Sequence, residues 1–487
     1  MQTPDGLFGR DLEWTQLARF VENATDEPRL GLVYGRRRQG KSLLLTGLCA
    51  QTGGFYWEAL DGEATQNLAS LSDTWTTWTR SATPVRFANW EEALEAVLAA
   101  SEVVGRHVPV VLDEIPRVIA RVGEFPSLLQ RALGPGRTKP AVLGTPLILC
   151  GSAFGEMRKL IGGKAPLRGR AILELVLQPF NFRTAAEFWG LGANQQVAFA
   201  HNAYVGGTPA YRTLADHDAP TDGDLDGWVI RRLLEPSSSL FRDGRILVAE
   251  DQQLGDQQRY WGLLAAMAEG NRRWGDLERV LGQQRGSLGH ALAVVLDAGW
   301  ATKSEDPLKS NRATYALAEP MIRFYRLVTE PNMQRLSVGR GRDVWRDVRP
   351  VVAGQILGAH MEQLAIEWVL RFASAETLGG ALALVGPTQL DAASEGDARD
   401  AQIDLAGVEA GPRGNQHPIF VGEVKATDAR VGVDQLTRLD YVVGRLRSRA
   451  CHRLLFSRSG FTTDLERQAA RRHEVQLIDL YRLYHGS

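Results

Sequence analysis

This sequence contains few cysteines, carries almost no net charge and has no long apolar run. The 487 residues contain three cysteines, Cys49, Cys150 and Cys451, whose odd number and wide spacing argue against a disulfide framework and a cysteine-based metal site. No apolar run approaches the roughly 18 residues that a membrane span requires. The amino-terminal residues lack the charged-then-apolar pattern of a signal peptide. These absences predict a cytoplasmic protein with no membrane partner.

The formal net charge of −1 excludes a polycation, so a nucleic-acid surface would have to be a local patch. Hydrophobic residues make up 44% of the chain and charged residues 23%, which is the balance of an ordinary globular protein. At about 150 residues for each domain, the length predicts roughly three domains.

The stretch "LGLVYGRRRQGKSLLLTG" carries a phosphate-binding motif. Residues 30–34 form an apolar strand, residues 35–42 read G-x-x-x-x-G-K-S, and a helix follows, which is the context that the motif requires. Gly35 and Gly40 let backbone N–H groups converge on phosphate oxygens. Lys41 would reach the β- and γ-phosphates, and Ser42 would be a ligand of Mg²⁺.

The motif therefore predicts ATP and Mg²⁺ as cofactors. Arg36, Arg37 and Arg38 either contact phosphate or form a basic cluster on the surface. The residues predicted to bind the nucleotide here are Gly35, Arg36, Arg37, Arg38, Gln39, Gly40, Lys41, Ser42 and Leu43.

A second apolar strand, which ends in two acidic residues, follows the phosphate loop in the sequence. In "HVPVVLDEIPRV", an apolar run typical of a strand buried on both faces of a parallel sheet ends in Asp113 and Glu114. Asp113 would hold the hydrated Mg²⁺ and Glu114 would polarise the attacking water; the alternative is a capping acid after a core strand. A third strand, "TPLILCG", precedes Ser152, which would sense the γ-phosphate, although serine and glycine also simply end strands.

A basic segment, "GGKAPLRGRAILEL", contains Lys164, Arg168 and Arg170. A guanidinium at Arg168 or Arg170 would stabilise charge on the transferred phosphoryl group. The alternative is a solvated basic loop. An arginine that acts across a subunit boundary would imply a homo-oligomer.

Together, these motifs resemble the AAA+-related ATPase family found predominantly in archaea. The resemblance implies that Arg10, which lies ahead of the phosphate loop, helps to frame the nucleotide base. The chain reads "DEIPRV" where an aromatic often follows the proline in that family, a departure that leaves the nucleotide chemistry untouched. The segments that carry the resemblance lie within residues 7–211 and are, in order, "FGRDLEWTQL", "YGRRRQGKSLLL", "VVLDEIPRVI", "LCGSAFGEM", "APLRGRA" and "VGGTPAYR".

Three helical patterns and a hairpin pattern follow a polar segment after position 216. "QRYWGLLAAMAEG", "RWGDLERVLG" and "RGSLGHALAVVLDAGW" have apolar residues at helical spacing, and "WATKS" and "RATYALA" read as strands around a polar tip. This order predicts a winged helix-turn-helix. On DNA, its third helix would present Arg285, Ser287 and His290 to the major groove. Lys309 and Arg312 would touch phosphate; the alternative is a module that contacts protein.

Near the carboxyl end, "HPIFVGEVKATDARVG" reads as a strand that presents Glu423 and Lys425 on one face. Upstream, "AQIDLAGVEA" is a second strand that contains Asp404, and antiparallel pairing would bring the three side chains together. Converging charges are costly without partners, and Mg²⁺ bound by Asp404 and Glu423 would partner the acids. Lys425 would then orient or activate a water molecule; the alternative is a Glu–Lys pair at a sheet edge.

This carboxyl-terminal segment resembles the PD-(D/E)xK nuclease superfamily over about residues 358–479. Asp404 matches the aspartate of the motif, and Glu423 and Lys425 match its E-x-K. The resemblance implies that Glu362, on the first helix, is a further metal ligand. It also places Gln435 near the site, on the following helix. The proline that usually precedes the aspartate is absent from "AQIDL".

The sequence therefore predicts an α/β protein with three modules. The predicted function is ATP binding and hydrolysis that control DNA binding and Mg²⁺-dependent phosphodiester cleavage. One alternative is a nucleotide-switched DNA-binding regulator or signalling ATPase with a catalytically silent nuclease-like domain, and another is a structural partner that never touches DNA. The predicted boundaries are 1–216 for a P-loop ATPase domain with a parallel sheet and a small helical lid, 217–256 for a connecting segment, 257–335 for the winged helix and 345–487 for a restriction-endonuclease-like domain.

Overall fold

The structure, a computed structural model, describes residues 1–4, 6–134, 142–163, 165–249, 257–282, 285–390, 401–410, 416–446 and 451–487. These residues divide into two units. Met1–Pro179 forms the first unit together with Asp297–Gly299, and the rest of the described chain from Phe180 onward forms the second. Among the helices of the described ranges, none is long and apolar enough to cross a membrane.

The first unit is built on a five-stranded parallel sheet. Its strands are β1 (Arg29–Tyr34), β2 (Phe55–Glu58), β3 (Val110–Asp113), β4 (Pro146–Gly151) and β5 (Ala171–Val176). They lie in the order β2-β3-β4-β1-β5, and each neighbouring pair is parallel. The carboxyl ends of β1, β3 and β4 therefore meet at one edge of the sheet. The predicted P-loop-type parallel sheet is confirmed, with β4 lying between the phosphate-loop strand and the acidic strand.

Helices cover both faces of this sheet, which explains why the strands are nearly all apolar. The helices are α1 (Asp11–Glu22), α2 (Lys41–Thr52), α3 (Ala64–Thr79), α4 (Trp90–Leu98), α5 (Ala100–Val104), α6 (Ile115–Arg121), α7 (Phe125–Ala132) and α8 (Phe154–Lys159). On one face the ring of Phe55 packs edge-on against Trp75, with centroids 5.2 Å apart, and Trp57 packs against Trp90. On the other face Trp14 and Leu44 belong to a second buried cluster.

The second unit contains most of the helices. They are α9 (Phe182–Phe188), α10 (Gln195–Val205), α11 (Ala210–Leu214), α12 (Leu225–Leu233), α13 (Asp243–Ala249), α14 (Gln257–Ala268), α15 (Trp274–Leu281), α16 (Arg285–Asp297), α17 (Pro320–Phe324), α18 (Met333–Ser337), α19 (Gly341–Asp347), α20 (Arg349–Val351), α21 (Ala359–Arg371), α22 (Ala375–Leu378), α23 (Val433–Leu446), α24 (Thr463–Ala469) and α25 (Leu480–His485). Two π-helical segments, Tyr325–Thr329 and Val352–Gly358, and a 3₁₀ turn, Glu330–Asn332, adjoin these helices.

The strands of the second unit form a hairpin and a mixed sheet. They are β6 (Ala301–Glu305), β7 (Ala313–Leu317), β8 (Leu384–Leu390), β9 (Ala401–Ala410), β10 (Gln416–Lys425), β11 (His452–Ser457) and β12 (Val475–Asp479). Strands β6 and β7 pair antiparallel after α14, α15 and α16, which is the order of elements that the sequence indicated. In the order β12-β11-β10-β9-β8, the pairs β8–β9 and β9–β10 are antiparallel and the remaining pairs are parallel. The winged-helix and nuclease-like assignments stay predictions.

Two histidines lie deep in the second unit. The His201 ring lies between Trp189 and Trp228, at centroid distances of 4.3 Å and 4.9 Å. The His360 ring packs against Phe199 at 5.6 Å. Burial lowers the pKa of His201 and of His360 from 6.5 to about 3. Both imidazoles are therefore neutral in the folded chain at physiological pH.

This burial predicts a loss of stability in mild acid. Unfolded histidines ionise near pH 6.5, whereas the buried ones stay neutral down to about pH 3, so the unfolded chain binds more protons between these values. The stability that the neutral rings contribute is complete above pH 6.5 and is lost as the pH falls. We expect urea unfolding of the second unit to show a loss of about 1.4 kcal/mol per pH unit for each histidine below pH 6.5.

Urea unfolding is compared at pH 7.5, 6.5 and 5.5. All three values lie above the usual range in which carboxylates titrate. His201→Phe should remove one histidine's share of the slope. The matched control is His473→Gln, because the His473 side chain is 94% exposed and its loss should leave the slope unchanged. A urea midpoint that does not move between pH 7.5 and 5.5 would contradict the prediction.

Candidate functional site

The phosphate loop joins β1 to α2 in a backbone conformation that depends on its two glycines. A Cβ atom on Gly35 would lie 2.4 Å from the Leu177 carbonyl oxygen, so no side chain fits there. Gly40 has a φ of 86° and immediately precedes α2, in the left-handed region that other residues rarely adopt. Arg38 also has a positive φ, of 71°. The loop thus delivers the first N–H groups of a 12-residue helix to the edge where β1 ends.

Lys41 lies at the first position of α2 and is only 5% exposed. Its Nζ donates hydrogen bonds to the carbonyl oxygens of Gly35, at 2.8 Å, and Arg36, at 2.9 Å. Burial lowers the pKa of Lys41, while the nearby charges of Asp113 and Glu114 oppose that shift. The ammonium is therefore held over the loop and lies in the field of both acids, as expected for a group that meets phosphate.

Asp113, at the carboxyl end of β3, is 1% exposed and accepts hydrogen bonds from three other residues of the site. Its Oδ2 accepts hydrogen bonds from the hydroxyls of Ser42, at 2.8 Å, and Tyr56, at 2.7 Å. Its Oδ1 accepts a bond from the Glu114 N–H at 2.8 Å. The serine hydroxyl and this carboxylate supply hard oxygen ligands side by side, which is the donor set that Mg²⁺ prefers. The residues present therefore fit a nucleotide-bound Mg²⁺.

Tyr56, on β2, is a part of this site that the sequence did not reveal. Burial and the adjacent Asp113 raise the pKa of Tyr56, so the phenol stays protonated and donates to the carboxylate. It acts as a positioning residue, because it touches Asp113 and holds that side chain beside Ser42.

Tyr56→Phe is expected to lower the free energy of unfolding by about 1.5 kcal/mol, because Asp113 loses one of its charge-assisted hydrogen bonds. It should also raise the Mg²⁺ concentration needed for half-maximal ATP hydrolysis, since the freed carboxylate is less well oriented. Chemical denaturation and a Mg²⁺ titration of hydrolysis measure the two effects. Tyr481→Phe, at a tyrosine that is 67% exposed, is the control and should change neither quantity. Equal effects from both variants would contradict the role of Tyr56.

Glu114 follows Asp113 and is hydrogen-bonded to Ser152, just beyond the end of β4. Its backbone has a φ of 51°, in the left-handed region. Its Oε2 accepts hydrogen bonds from the Ser152 hydroxyl, at 2.9 Å, and the Ser152 N–H, at 3.4 Å. The structure thus brings Glu114 and Ser152 together. The acid predicted to polarise water is held by the residue predicted to sense the γ-phosphate.

The other residues predicted for the nucleotide site have different environments. Arg10 is buried, and its Nη2 donates to the carbonyl oxygens of Gln39, at 3.1 Å, and Gln178, at 2.8 Å. Arg10 therefore braces the phosphate loop through its backbone. Arg36 and Gln39 are buried, Arg37 and Arg38 are half-buried, and Leu43 is 61% exposed.

The basic segment after β4 lies partly at the surface. Arg168 is exposed and donates to the Gly163 carbonyl at 2.8 Å. Arg170 is half-buried and donates to the Leu133 carbonyl at 3.2 Å. Lys164 lies outside the described residues. These contacts involve backbone carbonyls rather than the acids of the site, so a phosphoryl-stabilising role for either arginine stays a prediction.

A second group of charged residues lies on β9 and β10. The Glu423 side chain is 2% exposed and forms a salt bridge with Lys425, two residues along the same strand. The Asp404 Oδ2 accepts a hydrogen bond from the Val424 N–H at 3.0 Å. Burial and the charge of Asp404 raise the pKa of Glu423. The structure therefore brings Asp404, Glu423 and Lys425 together, as the strand pairing predicted.

Arg438, on α23, is a fourth member that the sequence did not indicate. It forms a salt bridge with Glu423 and donates to the Gln402 carbonyl. Gln435, one turn earlier, instead donates to Asp434 at 2.6 Å. Glu423 thus has two cationic partners from the protein itself.

Glu362, on α21, forms a salt bridge with Arg272. It borders the same pocket as Asp404. In the part of the chain that the structure describes, no group of three or more His, Cys, Asp or Glu side chains is arranged to hold a metal ion. A metal role for Glu362, Asp404 and Glu423 stays a prediction.

The predicted DNA-facing residues of the helices and hairpin are partly described. His290 and Arg312 are exposed, and Lys309 is half-buried. The side chains of Arg285 and Ser287 lie outside the described residues. Exposure alone assigns no contact, so DNA binding by this module stays a prediction.

Comparisons with known proteins identify the domain that contains the phosphate loop. Residues 7–211 match the family described as the ATPase domain predominantly from Archaea. No curated protein matches the chain. Residues 7–211 are therefore similar to this ATPase family, which supports the ATPase resemblance for that part of the chain.

The fold is also found among solved structures. The chain is similar to the Walker-type ATPase PABY2304 of Pyrococcus abyssi, with 20% identity and a TM-score of 0.50 over 66% of this chain and 96% of that one. A weaker likeness, to the ORC2 protein of Aeropyrum pernix in ADPNP and ADP complexes, has 16% identity and a TM-score of 0.40 over 71% of this chain and 96% of that one. At 20% identity the first likeness concerns the fold alone, and the second supports nothing further.

Proposed function

We propose that the first unit binds and hydrolyses ATP and that its nucleotide state controls a nucleic-acid-directed activity of the second unit. The observation that carries the ATPase proposal is the cluster at the carboxyl ends of β1, β3 and β4. There the Ser42 hydroxyl lies 2.8 Å from the Asp113 carboxylate, and Glu114 accepts a 2.9 Å hydrogen bond from Ser152. Ser42 lies on α2, Asp113 and Glu114 lie at the end of β3, and Ser152 follows β4; the charges of both acids act on the buried ammonium of Lys41.

The residues of this cluster have separable roles in hydrolysis. Lys41 exchanges its bonds to loop carbonyls for bonds to the β- and γ-phosphates. Ser42 and Asp113 would hold Mg²⁺, which, when bound, neutralises charge on the phosphates. Glu114 accepts a proton from the attacking water and aims it at the γ-phosphorus. Ser152 positions Glu114 until the nucleotide is bound.

Glu114→Gln is expected to lower the rate of ATP hydrolysis about a hundredfold while leaving ATP affinity within about twofold of wild type, because the amide cannot take a proton. Single-turnover hydrolysis and binding of a fluorescent ATP analogue measure the two quantities. The control is Glu156→Gln, at an acid on α8 that has no place in the proposed chemistry. Unchanged hydrolysis in Glu114→Gln would remove Glu114 from the mechanism.

We propose that the second activity is Mg²⁺-dependent phosphodiester cleavage at Asp404, Glu423 and Lys425. Two acids and a lysine converge on adjacent strands, and α21 contributes Glu362 to the same pocket as Asp404. Asp404 and Glu423 would hold the metal, which polarises a phosphodiester oxygen when bound. Lys425 would orient the attacking water.

A second candidate is a nucleotide-switched DNA-binding regulator whose carboxyl-terminal domain does not cut. The observation that favours it is the neutralisation of Glu423 by Lys425 and Arg438, which satisfies the buried carboxylate without a metal. A carboxylate neutralised in this way would be stable in a domain that binds DNA without cutting it.

Incubation of the full chain with supercoiled plasmid, in Mg²⁺ or Mn²⁺ and with or without ATP, tests the proposal. Metal-dependent nicking that responds to ATP is the expected result. ATP turnover without cleavage of plasmid, single-stranded DNA or RNA would refute the cleavage proposal and favour the regulator instead. Absence of ATP turnover under all of these conditions would overturn both candidates.

A further inference from the structure

A pocket of about 360 Å³ lies in the second unit beside Asp404. One wall comes from the residues just after α14, including Arg272, and from Thr314 on the β7 strand of the hairpin. Residues of α21, including Glu362 and Gln363, also line the pocket. The volume is that of a small organic group, and most of these side chains carry polar or charged ends.

Arg323, on α17, is the buried charge of this pocket. It is 3% exposed and donates only to uncharged acceptors, the Leu317 carbonyl at 3.1 Å and the Gln363 Oε1 at 3.4 Å. Within the described chain, no carboxylate lies within 4.0 Å of its guanidinium. Burial, reinforced by the charge of Arg272, lowers the pKa of Arg323 to about 10. A guanidinium in this position remains charged at neutral pH, and among the described residues it feels the charge of Glu362 without a direct salt bridge to it.

Arg272 supplies a second guanidinium at the same pocket. Its side chain is 34% exposed and is bonded to Glu362. Its backbone carbonyl accepts the Tyr315 N–H at 2.8 Å, which fixes it to the hairpin. Arg272 and Arg323 thus both lie near Glu362. Of the other two acids in the lining, Glu269 is paired with Arg326, and Asp404 belongs to the predicted cleavage site.

We propose that this pocket binds a phosphate group of a nucleic-acid strand through Arg272 and Arg323. The inference rests on the proposed function, because it assigns a substrate subsite beside Asp404. Paired guanidiniums match phosphate oxygens with several parallel N–H···O bonds. The phosphate competes with Glu362 for Arg272, so its arrival releases Glu362 toward Asp404. Substrate binding and assembly of the acidic site are thereby coupled.

Fluorescence anisotropy of a labelled ten-nucleotide oligothymidylate, with the full chain in EDTA, measures this binding without cleavage. Arg272→Ala is expected to weaken binding about tenfold, the loss of one charge-assisted contact. The slope of log affinity against log salt should fall by about 0.7, as one phosphate contact disappears. The matched control is Arg335→Ala, because Arg335 is 38% exposed and bonded to Asp347, and neither residue lines the pocket. Equal losses in both variants, or none in Arg272→Ala, would overturn the proposal.

Glu362→Gln distinguishes a loss of phosphate binding from a general loss of structure. It removes the carboxylate that competes with phosphate for Arg272. We expect it to tighten oligothymidylate binding about fivefold. Weaker binding would contradict the competition between phosphate and Glu362. Arg323→Lys, which keeps the charge but loses the planar fork, should weaken binding and provides a second test at the buried position.

Competition with thymidine monophosphate and with inorganic phosphate identifies the source of the phosphate. Displacement only at concentrations far above those of the decamer supports a strand as ligand. A mononucleotide that competes as well as the decamer would overturn the strand assignment in favour of a free nucleotide. The two proposals can fail separately. Oligothymidylate binding in EDTA that depends on Arg272 would support the phosphate site, even if the absence of any cleavage in Mg²⁺ or Mn²⁺ refutes the nuclease proposal.

Discussion

Lys41→Ala is expected to lower kcat/KM for ATP hydrolysis about a thousandfold, at the upper end of the loss found when one stabilising donor is removed from a preorganised site. Lys41 is 5% exposed and its Nζ donates to the Gly35 and Arg36 carbonyl oxygens, so the ammonium is held at the phosphate loop. Without it, the N–H groups at the start of α2 meet the phosphates, but the charge of the β- and γ-phosphates is left unmatched. Steady-state hydrolysis and binding of a fluorescent ATP analogue should both show the loss.

The control for this variant is Lys159→Ala, at an exposed lysine at the end of α8 in the same unit. It should leave hydrolysis unchanged. Because Lys41 is buried, Lys41→Met is made in parallel; it keeps most of the volume and loses only the charge. Circular dichroism of both Lys41 variants should resemble wild type. Hydrolysis at the wild-type rate in either one would refute the assignment of the phosphate site.

The phosphate site could be predicted because its parts are local in sequence. Gly35, Gly40 and Lys41 lie within seven consecutive residues, and the same residues set the backbone geometry and supply the chemistry. Asp113 could be predicted from its place at the end of an apolar strand, since parallel strands end at one edge. The position of β4 between β1 and β3 could not, because buried parallel strands have similar compositions.

The missed partners come from long-range packing. Tyr56 reaches Asp113 because β2 happens to be the neighbour of β3, and nothing in "FYWE" indicates that order. Arg272 lies 90 residues from Glu362 and meets it only when the hairpin region packs against α21. The resemblance implied that Glu362 is a metal ligand, whereas in the structure it forms a salt bridge with Arg272. Amphipathic spacing shows which face of a helix is buried but not which cation a polar residue meets there.

Glu423→Gln is expected to lower metal-dependent strand cleavage about a hundredfold or more, because the amide binds a divalent cation poorly and cannot balance developing charge. It should also destabilise the second unit. Glu423 is 2% exposed and bonded to Lys425 and Arg438, so neutralising it removes the carboxylate that both cations contact. The loss in free energy of unfolding should be about 2 kcal/mol, the value of hydrogen bonds to a charged group. Plasmid nicking and urea unfolding measure the two effects.

A double variant separates the two consequences. In Glu423→Gln/Arg438→Gln one of the unmatched cations is gone, so stability should recover part of the loss and the two changes should not add. Cleavage should not recover, because the acid is still absent. Glu409→Gln, on β9 of the same sheet, is the control and should cut normally. If the double variant regains cleavage, the loss in Glu423→Gln came from repulsion between Lys425 and Arg438, and Glu423 is then a structural counter-charge rather than a metal ligand.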